Sequence, residues 1–401
     1  MIVDLKERLI KNYLPADENG REINLYKLKN VSPYGDTFYP NCLFNDEQGN
    51  IFNPSSEKVM SLNGITFINK NQKNEIINKE ETPLFFFIYN TDNYYHFVYD
   101  SLPYLITFLD LKEKVSNIKL LMNYPNFTKT EFYKFIIEFL NLLNISMDDI
   151  LIIDKNTIYS EIYISSSYTH DIDSNLPPRK EIYDFYQSIV KNIKQNYTNT
   201  KDLPKKIYIS RRTWIHGDTS NIGTNYTTRR KLINEDDLVD TLKKYGFKEI
   251  FTENLGTIEK ILLFNNADIV IGPIGGGLCN VLFSKKDCRL ISINSPTFMD
   301  INKRFKYCFS NINTDYFDET EHIEKNIWKK WMRVKSGNIV GEIENVEEEY
   351  IDVMYTDESI AGWNNGINYK KIKLKKQDST PLDNGLNSNW IVDIKKLISY
   401  I

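Results

Sequence analysis

The stretch DIVIGPIGGGLCNVLF, residues 268–283, predicts a strand, a tight turn and a helix in immediate succession. The run Asp268–Ile271 suits a buried strand, and Gly275–Phe283 is a turn that enters a helix. Consecutive glycines let the backbone turn tightly and come close to a ligand. Because the start of a helix offers unpaired N–H groups and the positive end of its dipole, the stretch predicts an anion site suited to a diphosphate.

The same residues exclude two common nucleotide motifs. No Gly-Lys-Ser or Gly-Lys-Thr follows the glycines, so the stretch is not a P-loop. The frame from Gly272 lacks the second glycine of a dinucleotide GxGxxG, and the frame from Gly275 through Gly277 lacks the third. A glycine turn that only lets helix and strand pack together stays open as an alternative.

Strands and helices are predicted to alternate around this stretch. The strands are Lys206–Ser210, Lys248–Phe251, Asp268–Ile271 and Arg289–Ile293, and the helices are Glu235–Tyr245 and Thr257–Asn265. This alternation fits a Rossmann-like half, in which ligands bind outside the carboxyl ends of the strands.

The N-terminal part of the chain shows a similar alternation. Strands are predicted at Pro83–Tyr89, Ile118–Met122, Ile150–Ile153 and Ile158–Ser165, and helices at Asn93–Leu111, Glu131–Leu143 and Ile182–Asn196. The run Pro83–Tyr89 is apolar throughout, as in a strand that is buried on both faces. Pro103 is expected to kink or divide the helix Asn93–Leu111 because proline removes a backbone donor.

The polar, turn-rich segment Tyr197–Pro204 is interpreted as a linker between two α/β domains. We expect an N-terminal domain over 1–198, a second domain over 204–310 and a small β-rich appendage over 311–401. Residues 1–80 are expected to hold strands and turns. In the appendage we predict a helix at Ile327–Val334, strands at Ile339–Met354 and Tyr369–Leu374, and a closing helix at Ile391–Ile401.

Composition and charge exclude several classes of partner. The chain has 401 residues and a formal net charge of −4, which gives no general attraction to nucleic acid or to an anionic membrane. Its four cysteines form no CxxC pair, and no His/Cys spacing resembles a zinc site. No stretch approaches the roughly 20 apolar residues that span a bilayer, and the charged N-terminus lacks a long apolar run. We therefore expect a cytoplasmic protein without an integral membrane segment.

Two basic clusters lie in the same half as the glycine turn. Arg211 and Arg212 follow the strand Lys206–Ser210, so they face the crevice at the carboxyl ends of the strands. Arg229 belongs to a second cluster, which precedes Asn234, a good N-cap for the next helix. The planar guanidinium matches phosphate oxygens, so these arginines are candidates for binding a diphosphate; a solvated loop is the alternative for each cluster.

The segment NYYHFVYD, residues 93–100, carries the best candidate for a base. On a helix His96 and Asp100 are four residues apart and share one face. A carboxylate beside an imidazole can fix its tautomer and raise its basicity, so His96 could take a proton from a hydroxyl. Asp100 could itself be the base, and a satisfied core histidine within an aromatic stripe is the structural alternative.

Two carboxylate patterns are weaker candidates. Glu259 precedes the glycine turn by one element and could bind a ribose diol, although a surface glutamate is the plainer reading. Asp171 and Asp173 form a DxD pattern, which can hold a metal-bound sugar nucleotide but is short enough to arise by chance.

Four segments taken together resemble glycosyltransferase family 61. They are NYYHFVYDSLP at 93–103, IYISRR at 207–212, RRKLINEDDL at 229–238, and ENLGTIEKILLFNNADIVIGPIGGGLCNVLFS at 253–284. Their order resembles the histidine- and aspartate-bearing motif, the arginine-ending strand, the Arg…Asn-Glu segment and the glycine stretch of that family. The resemblance covers about residues 93–300.

The resemblance implies a GT-B fold, in which two Rossmann-like domains face each other across a cleft. It also implies inverting, metal-independent transfer of a sugar from a nucleotide diphosphate sugar, often a UDP-sugar, to a hydroxyl of a glycan or glycolipid, with no separate cofactor. The expected acceptor-side residues are His96 and Asp100. The expected donor-side residues are Arg211, Arg212, Arg229, Glu259, Gly275, Gly276, Gly277 and Asn280.

The chain departs from the family pattern at two points. Pro273 and Ile274 stand where many members carry a histidine before the glycines. We also expect no signal anchor like that of the secretory-pathway members, so their protein acceptors are poor guides to this acceptor.

Two rival functions stay open at this level. An epimerase or dehydrogenase would need a complete GxGxxG and an acidic residue about 20 positions later, and neither is visible. A non-catalytic carbohydrate- or nucleotide-binding protein could use the same scaffold, since 26 tyrosines and five tryptophans can stack on sugars. The β-rich tail could bind acceptor, form a homodimer or brace the domains, and the sequence names neither the donor sugar nor the linkage.

Overall fold

The protein is a mixed α/β structure with one mixed sheet, one parallel sheet and small antiparallel sheets near the C-terminus. The computed structural model describes residues 5–34, 43–52, 75–87, 93–124, 131–169, 176–197, 202–212, 232–296, 299–322, 328, 333–355, 370–383 and 390–401. The expected α/β class is confirmed. The domain boundaries stay a prediction.

The first sheet combines an antiparallel edge with a parallel centre. Its strands are β1 (Leu9–Leu14), β2 (Ile23–Tyr34), β3 (Leu43–Asp46), β4 (Ile51–Phe52), β5 (Asn78–Glu80), β6 (Leu84–Phe86), β7 (Lys119–Met122), β8 (Ile150–Ile152) and β9 (Thr157–Ser165). The order is β4-β3-β2-β9-β6-β7-β8, with β1 on β2 and β5 on β9. Strands β9, β6, β7 and β8 run parallel. The all-buried β6 confirms a strand covered on both faces.

Helices accompany the parallel strands of this sheet. They are α1 (Tyr104–Lys114), α2 (Lys134–Leu142) and α3 (Glu181–Asn196). The predicted division at Pro103 is confirmed, because Pro103 is the N-cap of α1. The segment before it, His96–Ser101, is a π-helix, in which Leu102 N donates to Phe97 O five residues back at 2.8 Å. Single π turns of this kind are frequent at functional sites.

The second sheet is entirely parallel. Its strands are β10 (Lys206–Ile209), β11 (Lys248–Ile250), β12 (Ile269–Pro273), β13 (Arg289–Ile293) and β14 (Asn313–Phe317), in the order β11-β10-β12-β13-β14. The helices of this half are α4 (Glu235–Lys244), α5 (Thr257–Asn266) and α6 (Met299–Cys308). Because β10 lies between β11 and β12, the chain leaves β10 toward one side and returns on the other. This reversal creates the crevice in which α/β sheets bind ligands.

Three predictions in the second half need correction. The helix predicted at the glycine turn begins at the second glycine and is a 3₁₀ helix, Gly276–Phe283, whose backbone is wound more tightly than an α-helix. The predicted helix Ile327–Val334 is wrong where it can be compared, because residues 333 and 334 belong to the strand Arg333–Ser336. The closing helix is shorter than predicted. It begins only after Asp393, whose side chain accepts from Lys396 N at 3.0 Å.

The C-terminal residues form two small antiparallel sheets. One pairs β15 (Thr320–His322) with β21 (Trp390–Val392). The other contains β16 (Arg333–Ser336), β17 (Ile339–Val346), β18 (Tyr350–Tyr355), β19 (Lys370–Lys375) and β20 (Thr380–Asp383), in the order β19-β18-β17-β16-β20. The predicted β-rich tail is thus confirmed. Trp390 of β21 and Leu397 of α7 (Ile394–Ile398) pack with α4 on the second sheet.

One continuous apolar core joins the two large sheets. Phe283, which ends the 3₁₀ helix, stacks on Phe139 of α2 with 5.9 Å between ring centroids and meets Tyr186 of α3 edge-on at 5.2 Å. The shared core fastens the glycine turn to helices of the first half. Among the described residues, no helix combines the length and the apolar composition needed to cross a lipid bilayer.

Phe283→Ala should lower the free energy of unfolding by about 3–5 kcal/mol, because the fully buried ring would leave a cavity between the halves. Urea unfolding followed by circular dichroism measures the change. Met147→Ala is the control, since Met147 is 52% exposed and should change the free energy by less than about 0.5 kcal/mol. Equal effects in the two variants would contradict a shared core at Phe283.

Candidate functional site

Arg211, one of the predicted basic residues, lies against the glycine turn at the crevice between β10 and β12. The two strands are adjacent and parallel, with Tyr208 opposite Ile271. Arg211 follows the end of β10, and the glycines follow the end of β12. Arg211 Nη1 donates to the carbonyl oxygen of Ile274 at 3.0 Å, immediately before the glycines. The predicted contact between Arg211 and the glycine turn, at the carboxyl ends of β10 and β12, is thus present.

Each glycine of the turn faces a different neighbour, and at Gly275 and Gly277 there is no room for a side chain. A Cβ atom at Gly275 would collide with Arg211 Nη1. A Cβ atom at Gly277 would lie 2.5 Å from Thr252 Oγ1, which is closer than real contacts allow. At Gly276 it would lie 3.7 Å from Tyr95 Cβ, an ordinary van der Waals distance. The turn therefore touches β10, the segment after β11, and the first half of the chain at once.

A buried carboxylate fixes the end of β10. Glu235 Oε1 accepts from Arg211 N at 2.8 Å, from Tyr208 Oη at 2.9 Å and from Ser210 Oγ at 3.0 Å. Burial raises the pKa of Glu235, although these three donors favour its charged form. Burial also lowers the pKa of the Arg211 guanidinium, which remains a cation because an arginine does not deprotonate in proteins. Sequence reasoning missed this role of Glu235.

Asn234 occupies the N-cap position of α4, but its side chain does not cap the helix. Its amide bonds to the backbone of Val392 instead, donating from Nδ2 to the carbonyl at 2.8 Å and accepting from the N–H at 3.1 Å. The predicted cap is therefore wrong in its side-chain contact. The pairing with β21 satisfies the amide more completely, since it uses both of its ends.

Other predicted donor-side residues have partners elsewhere. Arg212 forms a bidentate pair with Glu249, at 2.6 and 2.7 Å, and a further ion pair with Asp236. Glu259 is exposed and accepts from Gly256 N at 3.3 Å, at the start of its own helix. Neither contact is with the glycine turn. Arg229, Asp171 and Asp173 lie outside the described residues.

A second carboxylate near the turn was not singled out from the sequence. Glu253 follows Thr252, whose hydroxyl crowds Gly277. Its Oε1 atom is buried and has no hydrogen-bond partner among the described residues. Burial raises the pKa of Glu253, and the charges of Lys260 and Arg211 oppose that rise. The sequence offered a signal for this residue, because Glu253 is the first residue of the segment ENLGTIEK, which is part of the family resemblance.

Asn280 connects the turn to the first half. Its Nδ2 donates to the carbonyl oxygen of Gly277 at 2.8 Å, and its Oδ1 accepts from Tyr94 Oη at 2.5 Å. Lys260 Nζ lies 4.4 Å from the centre of the Tyr94 ring, a cation–π contact. Burial lowers the pKa of Lys260 and raises that of Tyr94. Asn280 is fully buried, so its visible role is to hold the turn in shape.

The predicted His96 and Asp100 pair is present on the π-helix. His96 Nδ1 lies 2.7 Å from Asp100 Oδ2. A carboxylate oxygen only accepts, so Nδ1 donates and Nε2 keeps the lone pair that can receive a proton. Asp100 is 1% exposed, whereas 27% of the His96 side chain is exposed. The histidine ring therefore reaches solvent, and the buried carboxylate orients it from the protein interior.

A third residue joins this pair from α6. Arg304 Nη2 forms a close ion pair with Asp100 Oδ2 and lies 3.4 Å from His96 Nδ1. Sequence reasoning missed Arg304, because no local pattern links it to a residue 204 positions earlier.

The donor-side and acceptor-side groups adjoin through one aromatic residue. Tyr95 precedes His96 and contacts the glycine turn at Gly276. On its other side Tyr95 stacks on Phe305, with 4.6 Å between ring centroids. The glycine turn, which is the predicted anion site, and the candidate base are thus adjacent. Among the described residues, no group of three His, Cys, Asp or Glu side chains could hold a metal ion.

The family model described as Glycosyltransferase 61 matches residues 94–291 of this chain. The matched range includes His96, Arg211 and the glycine turn, and it ends before Arg304. A comparison with curated proteins finds no match to the chain.

Gly277→Ala should lower the free energy of unfolding by about 1–3 kcal/mol, because its methyl group must displace Thr252 or Ile209. Gly276→Ala is the matched control within the same turn, where a Cβ atom meets only an ordinary contact. Thermal unfolding of both variants measures the difference. If Gly276→Ala were the more damaging change, the described packing of the turn would be wrong.

Proposed function

We propose that this chain, which belongs to the glycosyltransferase 61 family, transfers a sugar from a UDP-sugar to a hydroxyl of a glycan or glycolipid. Membership in the family implies sugar transfer between a donor and an acceptor. The nature of the donor, inversion at the anomeric carbon, independence of metal and a GT-B arrangement of the two halves are part of the proposal.

The observation that carries the proposal is the contact between the glycine turn and the segment of the candidate base. Gly276 and Tyr95 are neighbours, and His96 is the next residue along the chain. An anion bound at the turn would therefore lie close to a group that can accept a proton. Such proximity is what a single displacement needs, since donor and acceptor must be held together.

The donor half supplies groups that suit a departing diphosphate. Arg211 offers a guanidinium beside the turn, and the first N–H groups of Gly276–Phe283 point their dipoles toward the same place. Fixed donors of this kind stabilise negative charge as it develops on the leaving group. We assign the ribose contact to Glu253 rather than Glu259, because Glu253 follows Thr252, which lies against Gly277, and its buried Oε1 has no hydrogen-bond partner among the described residues.

The acceptor half supports His96 as the base. Asp100 is buried, and one of its oxygens accepts from both His96 and Arg304. A carboxylate held by two donors is a weak base, whereas the exposed edge of His96 can receive a proton from an acceptor hydroxyl. In the proposed step the hydroxyl attacks the anomeric carbon, its proton passes to His96 Nε2, and the diphosphate leaves on the opposite face.

A screen of nucleotide sugars tests the function directly. UDP-sugars should raise the melting temperature and be hydrolysed or transferred, whereas NAD should do neither. Stabilisation by UDP without any turnover would favour a binding protein on the same scaffold. Stabilisation by NAD alone would contradict the proposal.

Arg211→Ala should lower kcat by about 10²–10³-fold, the usual effect of removing one charge-stabilising donor. Initial rates and donor affinity are measured together. Lys248→Ala is the control, because the exposed Lys248 begins β11 and so lies at the opposite end of the sheet. Unchanged turnover in Arg211→Ala with intact donor affinity would refute this role.

His96→Gln should lower kcat by about 10²–10⁴-fold and leave donor affinity nearly unchanged, because a general base acts only on the acceptor. Asp100→Asn should lower kcat less if it only orients the imidazole. Single-turnover rates with saturating donor separate the two. Near-normal rates in both variants would mean that the base lies elsewhere.

A further inference from the structure

Lys260 is a buried lysine on α5, the helix that packs on the 3₁₀ helix of the glycine turn. The residue is 8% exposed, and its Nζ lies 4.4 Å from the centre of the Tyr94 ring. Among the described residues, no atom forms a hydrogen bond or an ion pair with this ammonium group. A buried ammonium is costly unless it is paired, so the ring contact leaves its capacity to donate hydrogen bonds unused.

The place of Lys260 on its helix is also unfavourable for a cation. It lies in the first turn of α5, where the helix dipole has its positive end. Burial lowers the pKa of Lys260, because desolvation disfavours the charged form. Apart from the Tyr94 ring, the surroundings therefore do not favour a charge here, and a bound molecule explains the lysine better than folding does.

Glu253 presents the opposite charge at the carboxyl edge of the second sheet. It follows β11, and the preceding residue, Thr252, lies against Gly277. Its Oε1 is buried and has no hydrogen-bond partner among the described residues, whereas Oε2 accepts from Thr252 Oγ1 at 3.4 Å. Glu253 and Lys260 each oppose the pKa shift that burial causes in the other. They are thus near each other, yet no ion pair joins them in the described structure.

We propose that Lys260 and Glu253 together bind a ribose hydroxyl of the nucleotide donor, with Lys260 donating and Glu253 accepting, so that the pair selects ribonucleotides over deoxyribonucleotides. The inference rests on the proposed function, which assigns the ribose contact to Glu253. It adds Lys260 as a residue that determines specificity for the donor.

A hydroxyl is the group that fits between an ammonium and a carboxylate. The ammonium only donates hydrogen bonds, and the ionised carboxylate only accepts them. An anion at this place would be repelled by Glu253, and a cation would be repelled by Lys260. A hydroxyl is neutral and both donates and accepts, so one hydroxyl can accept from Lys260 Nζ and donate to Glu253 Oε1. Because both protein groups are charged, these bonds are stronger than bonds between neutral groups.

The pair adjoins the predicted diphosphate site on two sides. Thr252, next to Glu253, lies against Gly277 of the turn. Lys260 lies over the ring of Tyr94, whose hydroxyl donates to the 3₁₀ helix that begins at the turn. In a nucleoside diphosphate the ribose directly follows the phosphates. A ribose contact is therefore expected beside the turn, where this pair lies.

The other titratable groups near Lys260 do not take the place of Glu253. Glu138 of α2 accepts from Thr257 N at 3.2 Å with one oxygen, and its other oxygen forms an ion pair with Lys134 at 3.6 Å. Burial raises the pKa of the Cys279 thiol, which is therefore neutral near pH 7. Within the described part of the chain, Glu253 is thus the carboxylate near Lys260 that keeps an oxygen without a partner.

Binding of UDP and of its 2′-deoxy and 3′-deoxy analogues tests the inference by isothermal titration calorimetry. The wild type should bind UDP at least about tenfold more tightly than one of the analogues, because that analogue leaves a charged group without its hydrogen bond. In Lys260→Met, which keeps the apolar part of the side chain, this ratio should fall by at least about threefold. Lys286→Met, an exposed change in the same half, should keep the ratio of the wild type.

A merely structural role of Lys260, such as holding the Tyr94 ring, predicts that UDP and both analogues are weakened equally. An unchanged ratio in Lys260→Met would therefore overturn the inference. If Lys260→Met does not fold, Lys260→Gln replaces it, with the same expected fall. Equal affinities of the wild type for UDP and both analogues would also overturn the inference, and so would selection by the base alone, with CDP weaker than UDP.

The proposed function can fail separately from this inference. A wild type that prefers UDP to a deoxy analogue but transfers no sugar would support the ribose contact and refute the transfer. Sugar transfer from a UDP-sugar without any preference for the ribose hydroxyls would refute the ribose contact alone. If the wild type binds no UDP, both are wrong.

Discussion

The absence of side chains at Gly275 and Gly277 is the constraint on which the site depends. Gly275 leaves room for the guanidinium of Arg211 and Gly277 for the hydroxyl of Thr252, while Gly276 between them lies beside Tyr95. Each neighbour comes from a different element, so the turn is the point at which β10, the segment after β11 and the π-helix meet. A Cβ atom at Gly275 would displace the guanidinium of Arg211, and one at Gly277 would displace the hydroxyl of Thr252.

Much of the secondary structure could be predicted because buried strands have a strong pattern. Runs such as Leu84–Phe86 and Arg289–Ile293 are apolar where both faces are covered. The fifth parallel strand, Asn313–Phe317, was missed because it is a polar edge strand with little apolar signal. The π-helix and the 3₁₀ helix could not be distinguished from α-helices, because their apolar residues recur at nearly the same spacing.

The candidate site was predictable only where its residues lie in one local pattern. The glycine turn with Arg211, and the pair His96 and Asp100, follow from strand ends and from spacing on a helix. The partners that complete them come from distant segments, as Arg304 does, and a single sequence carries no signal for such contacts. An exposed or charged side chain can also take a nearer partner, as Arg212 does with Glu249.

Two buried carboxylates organise the two ends of the site in the same way. Glu235 accepts a hydrogen bond from the backbone N–H of Arg211. It therefore positions the backbone of that residue rather than its guanidinium. Asp100 binds Nδ1 of His96, so it fixes the ring without occupying Nε2. In each case the acid binds a different atom from the one to which we assign a role in the proposed reaction. The difference is that Glu235 accepts from three donors of its own half, whereas Asp100 also forms an ion pair with Arg304 of the other half.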